Sequence, residues 1–395
     1  MKFLPRVTLK AGKEKSVLRY HPWVFSGAID NVNEEVKEGE PVWIYTDKGH
    51  CLGTGHFQND SIKVRLFSFK KITPDYDFWK EKFQQAIKLR NSLGLIDNQS
   101  TNAFRLIHGE GDGFSGLIVD YYNGTVVLQA HSVGMYLLRN MFADILKELL
   151  NEKVTAIYDK SSKTIPFKSD IKAVDEYLYK NSVNEIVLEY DSKFLINIEE
   201  GQKTGFFLDQ RENRKLLEQY CKNKRVLNTF CYTGGFSVAA LKGGAAFVHS
   251  VDSSAKAIEL TNRNIELNFG VSAAHQSSIE DVMKLLDVID NQYDVIVLDP
   301  PAFAKHHNVL DNALKGYRKI NRKAIEKIQS GGILFTFSCS QAVTAYDFRM
   351  AVFSAATLAN KQVRILHQLT QPADHPVSIY HPEGEYLKGL VLYIE

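Results

Sequence analysis

The stretch that decides the fold is RVLNTFCYTGGFSVAALKGG, Arg225 to Gly244. An apolar, β-rich run from Val226 to Phe230 enters a turn at Thr233-Gly234-Gly235. Helical spacing follows from Phe236 to Leu241. Glycines at such a turn let the backbone approach a ligand at a helix N-terminus. The spacing is not GxGxxG, so the dinucleotide fingerprint is absent. The next segment, AAFVHSVDSSAKAIELTNRNIELN, carries a second strand that ends at Asp252-Ser253. An acid about 20 residues beyond the first turn suits a ribose with two free hydroxyls. A strand–turn–helix without a ligand, with Asp252 as a helix N-cap, is the plain alternative.

Two further strand ends sharpen the reading. YDVIVLDPPAF, Tyr293 to Phe303, is a buried strand stopped by Asp299-Pro300-Pro301. Two prolines end the strand and stiffen the loop that leaves it. A polar loop at the C-terminal edge of an open α/β sheet is where ligands bind. GGILFTFSCSQAV, Gly331 to Val343, ends its apolar run at Ser338-Cys339-Ser340. Adjacent parallel strands would place Asp299 and Cys339 at one pocket. A glycine turn, a ribose acid and a DPP loop, in this order, fit a class I S-adenosyl-L-methionine methyltransferase.

Outward from this core the chain divides in three. Residues 186–395 alternate strand and helix, which predicts an α/β fold with a doubly wound, seven-stranded Rossmann-like sheet. Residues 73–185 open with a connecting helix, PDYDFWKEKFQQAIKLRNSLGL, and continue as an α+β middle domain. Residues 1–72 carry short β runs (PRVTLK, PVWIYTDKGHCLGTGHF, SIKVRLFSF) and predict a small β-barrel. The hydrophobic share of 44% and charged share of 24% are those of a globular protein, and a net charge of +2 confines any basic patch to one region. No window reaches the length of a membrane helix, and the start, MKFLPRVTLKAGKEKS, has no long apolar run. The four cysteines (Cys51, Cys221, Cys231 and Cys339) form no CxxC pair. That argues against a metal site or a disulfide framework and for the cytoplasm.

The longer pieces resemble the RlmI-like class I methyltransferases that make 5-methylcytosine in bacterial 23S ribosomal RNA. YHPWVFSGAID (Tyr20–Asp30) is similar to the start of the family's PUA domain, and RLIHGEGDGFSGLIVDYY (Arg105–Tyr122) to its middle domain. GQKTGFFLDQRENR (Gly201–Arg214), LDPPAF, KGYRKIN, FSCS and EGEYLKG (Glu383–Gly389) follow in family order. One departure is the loop after DPP, where Lys305 stands closer than the family's lysine and His306-His307 follow. No role is carried over to it.

The resemblance implies S-adenosylmethionine as cofactor. Phe207, Asp209, Gln210 and Arg211 would close over its methionine end, the alternative being an Asp209–Arg211 surface ion pair. Asn228, Phe230, Tyr232, Thr233, Gly234 and Gly235 would surround it at the turn, with Pro300 and Asp299 opposite. Asp252 and Ser253 would meet the ribose, and Ser278 or Asp281 the adenine edge, unless these cap a helix. Cys339 would add to cytosine C6 and make C5 nucleophilic, with Asp299 at the base amine or the proton. Asp374 and His375 are further candidates for that proton.

RNA, 23S ribosomal RNA by resemblance, is the expected partner; no membrane or metal is expected, and a homodimer is compatible. Basic residues cluster around Lys13 and Arg19, around Lys63 and Arg65, and around Arg318 and Arg322, as phosphate contacts require. Each cluster also reads as a solvated face. Phe303 and Tyr317 could stack on an extruded base or belong to the core. Two other functions compete. Asp-Pro-Pro before an aromatic also marks methylation of exocyclic amines, although here Ala302 intervenes before Phe303. A PUA-type RNA-binding protein without catalysis would show a broken turn or a missing acid.

Overall fold

The computed structural model describes residues 3–33, 35–166, 169–271, 274–303 and 310–395. The chain forms two compact units. The first is Met1–Val187 with Ile196–Phe206 and Ala373–Gly384; the second is Leu188–Leu195, Phe207–Pro372 and Glu385–Glu395. Two segments expected in the C-terminal domain, 196–206 and 373–384, therefore belong to the first unit.

The first unit holds two sheets. One has six strands in the order Trp23–Phe25, Ile62–Ser68, Cys51–Phe57, Pro41–Tyr45, Arg6–Leu9, Ile29–Val32. Its two outermost strands are joined by the single turn Ser26–Ala28. Four residue steps reach at most about 14 Å, whereas six flat strands would separate their edges by about 24 Å. The sheet must therefore curl until its edges meet, and Val7, Leu9, Val42, Ile44, Val64 and Leu66 fill the inside. The second sheet has five strands, from Glu176–Lys180 to Ala103–His108. The expected connecting helix runs Tyr76–Ser92, capped by Asp75, whose carboxylate accepts from the Phe78 amide at 2.9 Å. It buries Trp79 and Phe83 in this sheet's core.

The second unit is a seven-stranded sheet in the order His275–Ile279, Phe247–Asp252, Arg225–Thr229, Val295–Leu298, Gly332–Ser338, Lys388–Ile394, Val363–Leu369. The first five are parallel, and Lys388–Ile394 runs antiparallel to both neighbours. Period-two alternation builds a core on each face. Val226, Val295, Val297, Phe335 and Phe337 pack with Leu217 and Phe236. Leu227, Ile296, Leu298 and Leu334 pack on the other side with Tyr317, Ile320 and Phe348. Apolar residues at every strand position are the pattern of a sheet covered on both sides. Among the described residues no helix is long and apolar enough to cross a membrane.

A short hairpin leads into this sheet, and Glu189 on it forms a buried bidentate pair with Arg214. The guanidinium donates to both carboxylate oxygens at 2.6 Å and to the Phe207 carbonyl at 2.9 Å. Glu189→Ala leaves that guanidinium buried without its counter-charge. We expect a loss of about 3 kcal/mol in urea unfolding, whereas an exposed pair such as Arg322–Glu326 should give under about 1 kcal/mol.

Candidate active site

Strand register sets the geometry of the site. Thr229 pairs with Val251 on one side and with Leu298 on the other, and Leu298 pairs with Thr336. The strands therefore run out together, and Phe230, Asp252, Asp299 and the Ser338-Cys339 exit gather along one C-terminal edge.

The glycine turn is held by its neighbours. Phe230 and Tyr232 have φ of 54° and 48°, and Gly234 has 76°. Non-glycine residues seldom adopt this region, so the turn needs outside support. Asp252 provides it: Oδ2 accepts from the Tyr232 amide at 3.1 Å, and Oδ1 from the Ser254 amide at 2.9 Å. Asn264 donates to the Thr233 carbonyl at 2.9 Å, and Asn228 donates to the Ser237 hydroxyl at 2.8 Å. A methyl group at Gly234 would stand 2.7 Å from Thr261 Cγ2, and one at Gly235 2.9 Å from Arg214 Cδ, so neither position admits a side chain. Asp252 is not the cap of the following helix. Ser254 is, accepting from the Ala257 amide. A carboxylate has about four acceptor sites. With two of them on amides, it is fixed and still able to accept two ribose hydroxyls. Ser253 beside it is exposed.

Opposite lies a polar network. Gln210 donates to Asp299 Oδ2 at 3.1 Å and accepts from Asn213 at 2.6 Å. Asp209, buried, accepts from the Tyr386 hydroxyl at 2.7 Å. The Phe207 ring meets the Tyr232 ring edge-on at 5.1 Å. Phe207, Asp209 and Gln210 are thus brought to the strand edge with Asp299. Arg211 pairs with Glu212 at 3.0 Å, and its side chain is 3% exposed, so it is a buried group and not a surface one. Pro300 is buried behind Asp299. This donor set, with an anchored acid suited to a ribose at one end and a buried and a half-buried carboxylate, Asp209 and Asp299, at the other, fits S-adenosylmethionine.

The cysteines separate by environment. Cys231 is buried against Thr261, and burial pushes its thiol up to about 12. Cys221 donates to the Leu217 carbonyl and is likewise pushed up to about 12 by burial. Cys51 belongs to the first unit. Cys339 is partly exposed at the end of its strand.

Several expectations need correction. Tyr317 is fully buried between Phe303 and Phe348, and its hydroxyl bonds Ser340 at 2.9 Å, so it offers no face to a base. Phe303 lies on that ring and is 37% exposed. Asp281 caps the Val282–Val288 helix, accepting from Lys284. Ser278 bonds His249 at 2.9 Å. Asp374 and His375 are fully buried inside the first unit, where Asp374 accepts from the Arg105 amide at 2.9 Å. Arg65 is paired with Glu110 at 3.4 Å and largely buried. Lys63 bonds Asn59, whereas Lys13, Arg19, Arg318 and Arg322 are exposed. Lys305, His306 and His307 lie outside the described residues. One group in the first unit, His21, His381 and Glu383, brings three atoms that could bind a metal within 4.8 Å of one another. An ordinary histidine–carboxylate contact at 3.4 Å accounts for His21 and Glu383. Sequence reading missed Asn213, Asn264, Tyr386 and Lys388. The one signal was a lysine opening the otherwise apolar run KGLVLYI.

Residues 167–380 match a family model described as S-adenosylmethionine-dependent methyltransferase, and residues 7–69 one described as a PUA-like domain. The chain is 40% identical over 394 residues to ribosomal RNA large subunit methyltransferase I of Aeromonas hydrophila, covering 98% of each. It is 39% identical to the protein of that name from Escherichia coli O157:H7, over 97% of this chain and 98% of the relative. Among solved structures, a methyltransferase complexed with SAH superimposes with a TM-score of 0.85 at 25% identity, covering 98% of this chain and 99% of the other. SAH is therefore the ligand for a direct test. Asp252→Ala removes a charge-assisted acceptor and should weaken SAH binding in calorimetry by roughly 1.5–3 kcal/mol, with Cys339→Ala close to wild type. Equal losses would put Cys339 in the cofactor pocket. Matched along nearly its whole length, the chain belongs to the RlmI-like family of class I S-adenosylmethionine-dependent 23S ribosomal RNA methyltransferases.

Proposed function

We propose that this enzyme methylates C5 of a cytosine in 23S ribosomal RNA, with Cys339 as the nucleophile. The observation that carries this reading is the placement of Cys339. It is the partly exposed thiol at the strand edge that also holds Asp252 and Asp299, while Cys231 and Cys221 are buried and protonated. The names of the relatives support ribosomal RNA as substrate. A ribosomal substrate places the work in the cytoplasm, in keeping with four cysteines held as thiols and not as disulfides.

S-adenosylmethionine supplies an electrophilic methyl group. Asp252 holds the ribose end, and the Phe207–Gln210 segment holds the methionine end. The Cys339 thiolate adds to C6, the C5–C6 double bond shifts, and C5 becomes nucleophilic enough to take the methyl. A base then removes the C5 proton, the double bond re-forms and the thiolate leaves. Asp299, oriented by Gln210, is the carboxylate at hand for the base's amine or for that proton. Phe303 offers an exposed ring beside the DPP loop for an extruded base, and Arg318 and Arg322 on the next helix offer phosphate contacts.

RNA carrying 5-fluorocytosine at the target has no C5 proton to lose. Addition and methylation proceed, but release does not. We expect a denaturation-resistant adduct that needs S-adenosylmethionine, forms with Cys231→Ser and is lost in Cys339→Ser. An adduct mapped to Cys231 would move the nucleophile to the glycine turn. No adduct, with the methyl found on an exocyclic nitrogen, would establish amine methylation instead.

A further inference from the structure

The last strand opens with a charged residue in an apolar setting. Lys388 is 7% exposed, and it is followed by the buried residues Gly389, Leu390, Val391 and Leu392. A buried cation is costly unless something holds it. Lys388 pairs across the ladder with Ser338, the last residue of the strand that leads to Cys339. Its Nζ does not stop there. It donates to the Ser340 carbonyl at 2.7 Å and to the Tyr386 carbonyl at 2.8 Å. Ser340 lies two residues after Ser338 and Tyr386 two residues before Lys388, each just outside its strand. The side chain thus runs along the ladder towards the sheet edge and ties the backbone just after Cys339 to the segment that enters the last strand. Two of its donors are then used, and the remaining tetrahedral position on nitrogen carries a third proton or, in the neutral amine, a lone pair.

Neither carbonyl supplies a full counter-charge. The negative charges that act on the ammonium are those of Cys339 first and Glu385 second. Burial brings Lys388 down to about 8, so it exchanges its proton close to where a thiol does. Among the described residues Tyr317 also stands beside the exit; burial keeps its hydroxyl protonated, and that hydroxyl bonds Ser340. Asp299 stands at the end of the adjacent strand.

We propose that Lys388 is a positioning residue for the nucleophile: it fixes the strand exit around Cys339 and holds that cysteine in its thiolate form. In the neutral pair the S–H bond breaks, its electron pair stays on sulfur and the proton passes to the Lys388 amine. Thiol plus amine become thiolate plus ammonium with no net change in charge. After methyl transfer the same thiolate is the leaving group, and the adjacent ammonium favours its departure. The inference rests on Cys339 as the nucleophile, but its test does not need RNA.

The experiment follows iodoacetamide alkylation of Cys339 in the full chain against pH, read by peptide mass spectrometry. The wild-type midpoint should lie below the ordinary thiol value of about 8.5. Lys388→Met should raise it by about one unit or more, cutting alkylation at neutral pH roughly tenfold. Lys388→Arg, which keeps the charge, should restore a low midpoint. A purely structural lysine would behave differently, because loosening the exit would raise alkylation at every pH and leave the midpoint in place. That result, or a wild-type midpoint at or above about 8.5, overturns the proposal, and the second outcome stands even if the methionine variant does not fold. A failed fluorocytosine adduct alongside a low, lysine-dependent midpoint would instead remove Cys339 from the chemistry and leave the pair intact.

Discussion

The bidentate pair between Arg214 and Glu189 is the constraint on which the cofactor side of the site depends. Three pieces of chain distant in sequence meet at one guanidinium: the hairpin through Glu189, the closing segment through the Phe207 carbonyl, and the glycine turn through the close approach of Gly235. Charges taken out of water stabilise a fold only when geometry and hydrogen bonds are complete, and here both carboxylate oxygens are engaged. Once Phe207 is fixed, its ring meets Tyr232, and the short helical turn after it delivers Asp209 and Gln210. Asn264 extends the same logic on the other side, accepting from the Leu195 amide of the hairpin while donating to Thr233 of the turn.

The glycine turn is strained and held from outside. Two aromatic residues, Phe230 and Tyr232, sit in the left-handed region, a conformation that costs of order 1–3 kcal/mol each. Asp252 draws the Tyr232 amide into place, so the carboxylate assigned to the ribose also shapes the loop beneath the cofactor. The backbone geometry of the turn and the proposed ribose contact thus share one side chain.

The parts of the candidate site carried by strand ends were legible in the sequence as positions along one sheet edge. A parallel sheet is an apolar run at every strand position, so the residues that interrupt those runs (Asp252, Asp299 and Cys339) announce themselves. Contacts made by folding were not legible. Nothing in LDQ says that Gln210 reaches Asp299, or that Tyr386, far along the chain, caps Asp209. Tyr317 was ambiguous because its position satisfies helical periodicity for the core and also follows the DPP loop; burial against Phe348 decided it. Asp281 had the composition of both a ligand and a cap, and the backbone of Lys284 took it. Asp374 and His375 follow the strands of the candidate site in sequence, yet Asp374 bonds Arg90 and Arg105 and the His375 ring meets His108, because the chain returns to the first unit before its last strand.

That return has a consequence for how the protein is made. The first unit takes in residues 196–206 and then 373–384, with most of the second unit's chain between them. Gly111 lies so close to the second of these segments that a single added carbon would meet the Pro376 carbonyl. Translation runs from one end, so the first unit is not complete until the ribosome has passed residue 384. By then only the final strand of the second unit remains to be inserted between Gly332–Ser338 and Val363–Leu369. The two units therefore reach their finished states within a few residues of one another along the chain, and no single cut separates them into contiguous pieces.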